Sequence, residues 1–330
     1  MKKIRLGIIG AGGIVARVMK DMHRLEHVEV AAIAARDLSR AQAAAAQYGI
    51  PCAYGSYLEL AQSPQVDLAY IATPHNFHAE QAMMLMRHGK HVICEKPFAI
   101  NPAEVRQMIA CAREQDVFLM EAMWTRFQPC VQTLLKMIRE GVIGEVRHVF
   151  SHFSWHADNP DPASRLFDPA LAGGALLDLG VYPLMFSMQL LGSDPANIQS
   201  FCRKAATGVD MHTSVQLQYP GGAVAQFFCG MDACSDNTMQ IFGTKGHITM
   251  PSFWNPQQFT LCVDGQPAQT VTFSFPNEPY HYEFDHAAAC ILQGRRESPV
   301  MPLAESLRAS EICTQIRRSH GIVYPGEPVA

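Results

Sequence analysis

The sequence predicts an α/β protein in two parts, a doubly wound parallel sheet followed by an α+β part with a large, mainly antiparallel sheet. The chain of 330 residues is long enough for two domains of about 150 residues each. Short β-branched runs alternate with helical segments until Trp124, and strand–turn–strand patterns predominate thereafter. We therefore expect one domain over residues 1–123 and a second over residues 124–330.

The first part alternates strands with helices. The predicted strands are Ile4–Ile9, Val28–Ala34, Leu68–Ala72, His91–Cys94 and Val117–Glu121. The predicted helices are Gly13–Leu25, Ser39–Tyr48, Asn76–His88 and Pro102–Glu114, with Asn76 as the cap of its helix. Because strands separated by helices of this length form right-handed βαβ units, their sheet should be parallel and doubly wound.

The second part begins with helices and continues mainly as hairpins. Its predicted helices are about Gln128–Glu140 and Ala175–Leu191. Its predicted strands are Ile198–Arg203, Thr213–Tyr219, Ala223–Cys229, Thr238–Phe242, His247–Met250, Phe259–Val263 and Gln269–Phe273. Turn signals between these strands predict a largely antiparallel sheet with helices on one face, which leaves the other face available to pair two copies of the chain as a homodimer.

Composition narrows the classes of partner. Lys and Arg number 26 against 30 Asp and Glu, a net charge of −4, so we expect neither nucleic acid nor membrane as a partner. Ten cysteines without a CxxC pair are typical of reduced thiols in a cytoplasmic protein. Arg5 and the glycines from Gly10 onward interrupt the first apolar run, which favours a strand over a signal peptide.

A glycine-rich turn follows the first predicted strand and opens a helix. It reads Gly10-Ala11-Gly12-Gly13-Ile14-Val15. Glycines at such a turn let the backbone approach a pyrophosphate, which then lies at the helix N-terminus. Val15 stands where this motif often has its third glycine, and a purely structural turn is the alternative.

The end of the second strand bears on the choice between NAD and NADP. It reads Ala34-Ala35-Arg36-Asp37-Leu38-Ser39-Arg40. A small residue followed by Arg36, with Arg40 one helical turn later, is suited to binding a 2′-phosphate, which favours NADP(H). In the alternative interpretation both arginines are solvated and Asp37 binds the ribose hydroxyls.

Two further motifs carry polar groups suited to catalysis. Lys96, in Glu95-Lys96-Pro97, follows a strand at the carboxyl edge of the sheet, where this fold binds ligands. Asp178 and Tyr182 follow Gly173-Gly174 and share one face of a predicted helix. The alternatives are a solvated lysine and a core tyrosine whose hydroxyl bonds to Asp178.

Taken together, these motifs resemble the glucose-fructose oxidoreductase / inositol dehydrogenase / MocA family. The resemblance rests on Gly10-Ala11-Gly12, Ala72-Thr73-Pro74-His75-Asn76-Phe77-His78, Glu95-Lys96-Pro97 and the helix with Asp178 and Tyr182. The segments Glu121–Phe127 and Glu297–Leu303, with Tyr182, resemble the branch of dimeric dihydrodiol dehydrogenases and NADP-dependent D-xylose dehydrogenases.

The resemblance implies a role for each matching residue. The catalytic residues would be Lys96, Tyr182 and Asp178. The substrate-binding residues would be Trp124, Arg126, Phe153, Asp178 and Trp254. The cofactor-binding residues would be Gly10, Gly12, Gly13, Ile14, Arg36, Arg40, Thr73, Pro74, His75, His78, Glu95 and Lys96.

The implied reaction is NADP(H)-dependent hydride transfer to or from a diol, an aldose or a related sugar. A free phenol has a pKa of about 10, and a nearby Lys96 cation would lower it so that Tyr182 exchanges the hydroxyl proton. No metal is predicted, because the histidine pairs His75/His78 and His152/His156 lack Cys or carboxylate partners in ligand order. Another sugar or inositol-type dehydrogenase of the family and a non-catalytic NADP-binding regulator are the alternatives.

Overall fold

The computed structural model describes residues 3–327, which form two compact units. The first unit contains residues 3–127 and 276–307, and the second contains residues 128–275 and 308–327. The sequence predicted a single division, after residue 123. The chain instead returns to the first unit at Pro276. The sequence did not predict this return, because a helical pattern shows that one face of a helix is buried but not which sheet covers that face.

The first unit is built on a six-stranded sheet. Its strands are β1 (Ile4–Ile9), β2 (Val28–Ala34), β3 (Cys52–Tyr54), β4 (Leu68–Ile71), β5 (His91–Glu95) and β6 (Leu119–Ala122). The order is β3-β2-β1-β4-β5-β6 and every neighbouring pair is parallel, which confirms the predicted doubly wound sheet. The sequence did not predict β3, whose three residues are too few to show a period.

Six α-helices of the described residues match predicted segments, with three exceptions at their ends, whereas Tyr57–Gln62, His281–Leu292 and Leu303–Ser319 were not predicted. The helices are α1 (Gly13–Val18), α2 (Leu38–Tyr48), α3 (Tyr57–Gln62), α4 (His78–Arg87), α5 (Pro102–Glu114), α6 (Pro129–Arg139), α7 (Val181–Leu191), α8 (His281–Leu292) and α9 (Leu303–Ser319). The first exception is α1, which ends seven residues before Leu25. The second is α4, which begins after a 3₁₀ turn at His75–Phe77, so the prediction that Asn76 caps it is wrong. The third is α7, which begins at Val181 rather than at Ala175.

The second unit is built on an eight-stranded sheet. Its strands are β7 (Val146–Ser154), β8 (Asn197–Lys204), β9 (Asp210–Gln218), β10 (Val224–Gly230), β11 (Met239–Gly243), β12 (Gly246–Met250), β13 (Gln258–Val263) and β14 (Gln269–Thr272). The order is β14-β13-β12-β11-β7-β10-β9-β8. All neighbours are antiparallel except β7 and β10, which confirms a mainly antiparallel sheet.

One face of this sheet is buried. Val149 and Phe153 of β7 and Phe227 of β10 are buried on the side where α7 packs, whereas the alternate residues of both strands are only half-buried. Among the described residues, the segment Pro169–Leu191 is long and apolar enough to cross a membrane, but 94% of its most apolar window is buried inside the fold. That burial is typical of a core helix.

Candidate active site

The glycine-rich turn has the conformation that its sequence predicts. Gly10 adopts φ +104°, and a Cβ there would lie 2.5 Å from the carbonyl oxygen of Ala72. Around Gly12 and Gly13 nothing lies within 4 Å of where a Cβ would be, so this side of the turn is open. The turn is therefore closed on the sheet side and accessible on the other, as a backbone cradle for a pyrophosphate requires.

At the end of β2 the two arginines and the carboxylate have different surroundings. Arg36 and Arg40 are exposed. Asp37 caps α2, because its Oδ1 accepts hydrogen bonds from the amide of Ser39 at 2.8 Å and from that of Arg40 at 3.3 Å. Hydrogen bonds from Ser39 and Arg40 lower the pKa of Asp37. The carboxylate thus stabilises the helix start, which leaves the guanidinium groups as the charged groups suited to a 2′-phosphate.

The loop after β4 is held by buried and partly buried polar contacts. Thr73 Oγ1 donates to Gln81 Oε1 at 2.6 Å. The two ring nitrogens of His78 each lie 2.9 Å from a carbonyl oxygen, that of Pro97 and that of Thr73. Burial lowers the pKa of His78. His78 thereby links the loop after β4 to the loop after β5.

The carboxyl end of β5 carries Glu95 and Lys96. Glu95 is buried, accepts a hydrogen bond from the hydroxyl of Tyr70 and accepts another from the amide of Lys96 at 3.1 Å. Burial raises the pKa of Glu95. Lys96 itself is half-buried and is followed by a cis peptide bond to Pro97.

Two further buried carboxyl groups of the first unit were missed by sequence reasoning. Glu283 of α8 is fully buried, and burial together with the charge of Glu95 raises its pKa well above the usual range. Glu121 of β6 is also buried, and burial raises its pKa to about 7. Glu121 has the sequence signal of a single acidic residue in an otherwise apolar stretch, whereas Glu283 has no such signal because Asp285 follows two residues later.

In the second unit, the segment before α7 departs from a regular helix. Leu176–Gly180 forms a turn of π-helix, so the four-residue spacing of Asp178 and Tyr182 does not follow a regular α-helix as predicted. Asp178 is buried and forms an ion pair with Arg165 at 3.0 Å, a partner that sequence reasoning missed. Arg165 holds the carboxylate from a loop 13 residues earlier in the chain.

Three aromatic side chains of the second unit form one cluster. The ring centroids of Tyr182 and Phe153 are 5.5 Å apart in an edge-to-face arrangement. Phe153 stacks on Trp254 at the same distance with an interplanar angle of 9°. Tyr182 is 6% exposed. The structure thus brings together three residues that the family resemblance selected from distant parts of the chain.

Trp124 and Arg126 lie within the first unit. Trp124 is buried and stacks on Tyr280 with ring centroids 4.4 Å apart. Arg126 is buried and forms an ion pair with Glu305, and its Nη1 lies 2.7 Å from the sulfur of Met301. These contacts anchor Arg126 within the first unit, and its role in substrate binding stays a prediction.

The histidine pairs do not assemble a cluster of ligands. Within residues 3–327 no group of three or more His, Cys, Asp or Glu side chains is arranged to hold a metal ion. His152 of β7 pairs with Asp236 at 3.2 Å and stacks on Phe228. His156 lies outside the strand and pairs with Asp158 at 3.7 Å.

Sheet order, the glycine cradle and the site motifs define a two-unit oxidoreductase with a dinucleotide-binding fold. Residues 4–123 match the model of the GFO/IDH/MocA oxidoreductase family with its NAD-binding Rossmann fold, and residues 131–249 match the GFO/IDH/MocA C-terminal domain. The chain belongs to this family.

Its relatives include enzymes that act on a diol. The chain is 42% identical to trans-1,2-dihydrobenzene-1,2-diol dehydrogenase of Bos taurus and 40% identical to that of Homo sapiens, in each case over 98% of both chains. Among solved structures, it is similar to an aldose-aldose oxidoreductase of Caulobacter crescentus, with 27% identity, a TM-score of 0.88 and coverage of 97% and 98%. A 3-ketoreductase of Actinomadura kijaniata in complex with NADP matches with 26% identity, a TM-score of 0.84 and coverage of 96% and 98%.

Proposed function

We propose that this oxidoreductase is an NADP(H)-dependent dehydrogenase or reductase that acts on a CH–OH or carbonyl group of a diol, an aldose or a related sugar. The observation that carries the proposal is the buried Tyr182 within an aromatic cluster, on the same segment as Asp178. The names of the diol dehydrogenase and aldose oxidoreductase relatives support the substrate class.

The residues of the first unit fit NADP(H). Gly12 and Gly13 leave the turn after β1 open to a pyrophosphate, and the exposed Arg36 and Arg40 are suited to a 2′-phosphate. The loop with Thr73, Pro74, His75 and His78, together with Glu95, would line the nicotinamide. When bound, nicotinamide supplies the hydride acceptor for oxidation and the hydride donor for reduction.

Within this proposal Tyr182 is the acid–base group. In oxidation its phenolate takes the proton of the substrate hydroxyl while the C–H electron pair leaves as hydride, and in reduction its hydroxyl returns a proton to the carbonyl oxygen. Lys96 is its catalytic partner in this proposal, as the family resemblance implies, because a positive charge beside a phenol favours the phenolate. Asp178, oriented by Arg165, accepts a hydrogen bond from a second substrate hydroxyl, and Phe153 and Trp254 pack against the carbon face.

Initial rates measured at 340 nm test the reaction. The assay uses NADP⁺ or NAD⁺ with a panel of diols, aldoses and cyclic polyols, and NADPH with the matching carbonyl compounds. We expect Tyr182→Phe to lose about 10²–10⁴-fold in kcat while binding NADPH normally. Tyr219→Phe is the control, because the buried hydroxyl of Tyr219 has no hydrogen-bond partner. An active Tyr182→Phe enzyme would refute the mechanism, and wild-type enzyme that binds NADPH but turns over nothing would favour a regulator.

Fluorescence titration tests the cofactor assignment. Arg36→Ala and Arg40→Ala should each raise the Kd for NADPH by about tenfold to hundredfold, since each removes a charge-assisted hydrogen bond, and should leave the Kd for NADH unchanged. Arg113→Ala, which removes an exposed arginine from the last turn of α5, is the control. Equal losses for NADPH and NADH would contradict a 2′-phosphate site.

We also propose that the enzyme is a cytoplasmic homodimer that pairs through the half-buried face of the second sheet. Strand register places Phe201 of β8, Ser214 of β9, Phe228 of β10 and His152 of β7 side by side on this face. Phe201 is 81% exposed. Because an exposed aromatic patch on a sheet face is typical of a protein interface, a second copy of the same face is the partner proposed here.

Sedimentation equilibrium tests the dimer. Phe201→Asp should shift the wild-type dimer toward monomer, because it places a charge within the proposed contact. Leu292→Asp is the matched control, since Leu292 is a 56% exposed apolar residue that belongs to the first unit and not to this sheet. A monomeric wild-type protein, or equal effects of the two variants, would contradict the proposal.

A further inference from the structure

The short turn that carries Lys96 is held by side chains from three elements. Glu95 of β5 accepts the amide hydrogen of Lys96 at 3.1 Å. His78 of α4 lies with Nδ1 2.9 Å from the carbonyl oxygen of Pro97. Glu121 of β6 accepts the amide hydrogen of Phe98 at 3.1 Å through Oε1. Three successive residues of the turn are therefore each bonded to a buried side chain.

Glu121 is the member of this set to which neither the family resemblance nor the proposed mechanism gives a role. It is 4% exposed, and strand register places it beside Cys94, two residues before Lys96. Burying a carboxyl group in a strand is costly unless the group is hydrogen-bonded. The bond to Phe98 is the contact that Glu121 makes with the loop after β5.

We propose that Glu121 is a positioning residue for catalysis, which holds the backbone of the turn so that Lys96 keeps the orientation required for hydride and proton transfer. This inference rests on the proposed function of Lys96. The turn leaves β5 at its carboxyl end, and the carboxylate of Glu121 supports it from the neighbouring strand β6. Removal of that support frees the Phe98 amide and with it the backbone next to Lys96.

Three variants test the inference. Glu121→Ala removes the acceptor, whereas Glu121→Gln keeps an amide oxygen that accepts the Phe98 hydrogen. Glu104→Ala is the matched control, because Glu104 accepts the amide hydrogen of Ile100 at 3.3 Å, two residues beyond the turn. Steady-state kinetics with NADP⁺ separate kcat from KM, and hydrogen exchange of the peptide that covers residues 96–98 reports the turn directly.

We expect Glu121→Ala to lower kcat by at least about tenfold with little change in the KM for NADP⁺, because small misplacements of catalytic groups act on the chemical step. We expect Glu121→Gln to restore most of that loss, and only Glu121→Ala to speed exchange at residues 96–98. A Glu121→Ala enzyme with wild-type kcat, or an equal kcat loss in Glu104→Ala, overturns the inference.

Failure of the proposed function has a different signature. If the wild-type protein turns over no substrate, the proposed function fails, and hydrogen exchange still decides whether Glu121 holds the turn. Unchanged exchange at residues 96–98 in a folded Glu121→Ala protein overturns the positioning role by itself.

Discussion

The ion pair between Arg317 and Glu327 should be the most sensitive charged contact of the second unit. Both side chains are 0% exposed. Two nearly parallel hydrogen bonds join them, at 2.8 Å and 3.0 Å, and the amide of Tyr324 donates to the same carboxylate at 2.8 Å. The guanidinium also lies 4.2 Å from the centre of the Tyr324 ring.

Glu327→Gln removes the carboxylate charge that is hydrogen-bonded to the buried guanidinium. Removal of one partner of a buried ion pair costs about 3–5 kcal/mol, and an amide that keeps one acceptor places this variant near 3 kcal/mol. For a unit of this size, that loss corresponds to a Tm lower by about 6–12 °C. The stability loss originates in the uncompensated charge and not in lost packing, because Gln has nearly the same volume as Glu.

Urea unfolding followed by circular dichroism measures the effect. Glu140→Gln is the matched control, because Glu140 pairs with Lys136 at 3.8 Å while the two side chains are 61% and 71% exposed. An exposed helical pair contributes only about 0.3–0.5 kcal/mol. If Glu327→Gln destabilises the protein no more than Glu140→Gln does, burial does not control the strength of this pair and the reasoning is wrong.

Three further predictions concern backbone and buried charge. Gly10→Ala should weaken NADPH binding at least about tenfold in a fluorescence titration, because a Cβ would lie 2.5 Å from the carbonyl oxygen of Ala72 and φ is +104°. Gly174→Ala should lower the free energy of unfolding by about 2 kcal/mol in urea, since φ is +124° and a Cβ would lie 2.1 Å from Asp210 Oδ1. Burial raises the pKa of Glu121 to about 7 in the folded protein, so ionisation of this carboxyl group opposes folding. Between pH 5 and pH 8 the wild-type protein should therefore lose about 2.5 kcal/mol of stability relative to Glu121→Gln. Urea titrations of both proteins at the two pH values measure this difference.

Sequence reasoning located the features that a short segment specifies by itself. The parallel strands β1, β2, β4 and β5 were predicted within one residue, because buried strands read as continuous apolar runs between turn signals. The hairpins of the second sheet were predicted from the turn signals between its strands, which are also local. Gly10 was predicted at its turn because only glycine readily adopts the backbone conformation found there.

The candidate site was predictable where a motif keeps its residues close in sequence. Arg36 and Arg40 lie on one exposed helix start, and Glu95 and Lys96 lie at one strand end, as the motifs indicated. The aromatic cluster of Phe153, Tyr182 and Trp254 was selected by family resemblance, since no period in the sequence links these positions. The catalytic and binding roles of these residues stay predictions until the variants are measured.

Tertiary structure decided the contacts between distant parts of the chain. The ion pair of Arg126 and Glu305 joins residues 179 positions apart, and the segment of residues 276–307 packs with the first unit rather than the second. Burial of Glu283 follows from that packing. A local pattern indicates which face of a helix or strand avoids water, but the element that covers this face depends on how the whole chain folds. The burial of charged side chains and their pairing depend on the whole fold for the same reason.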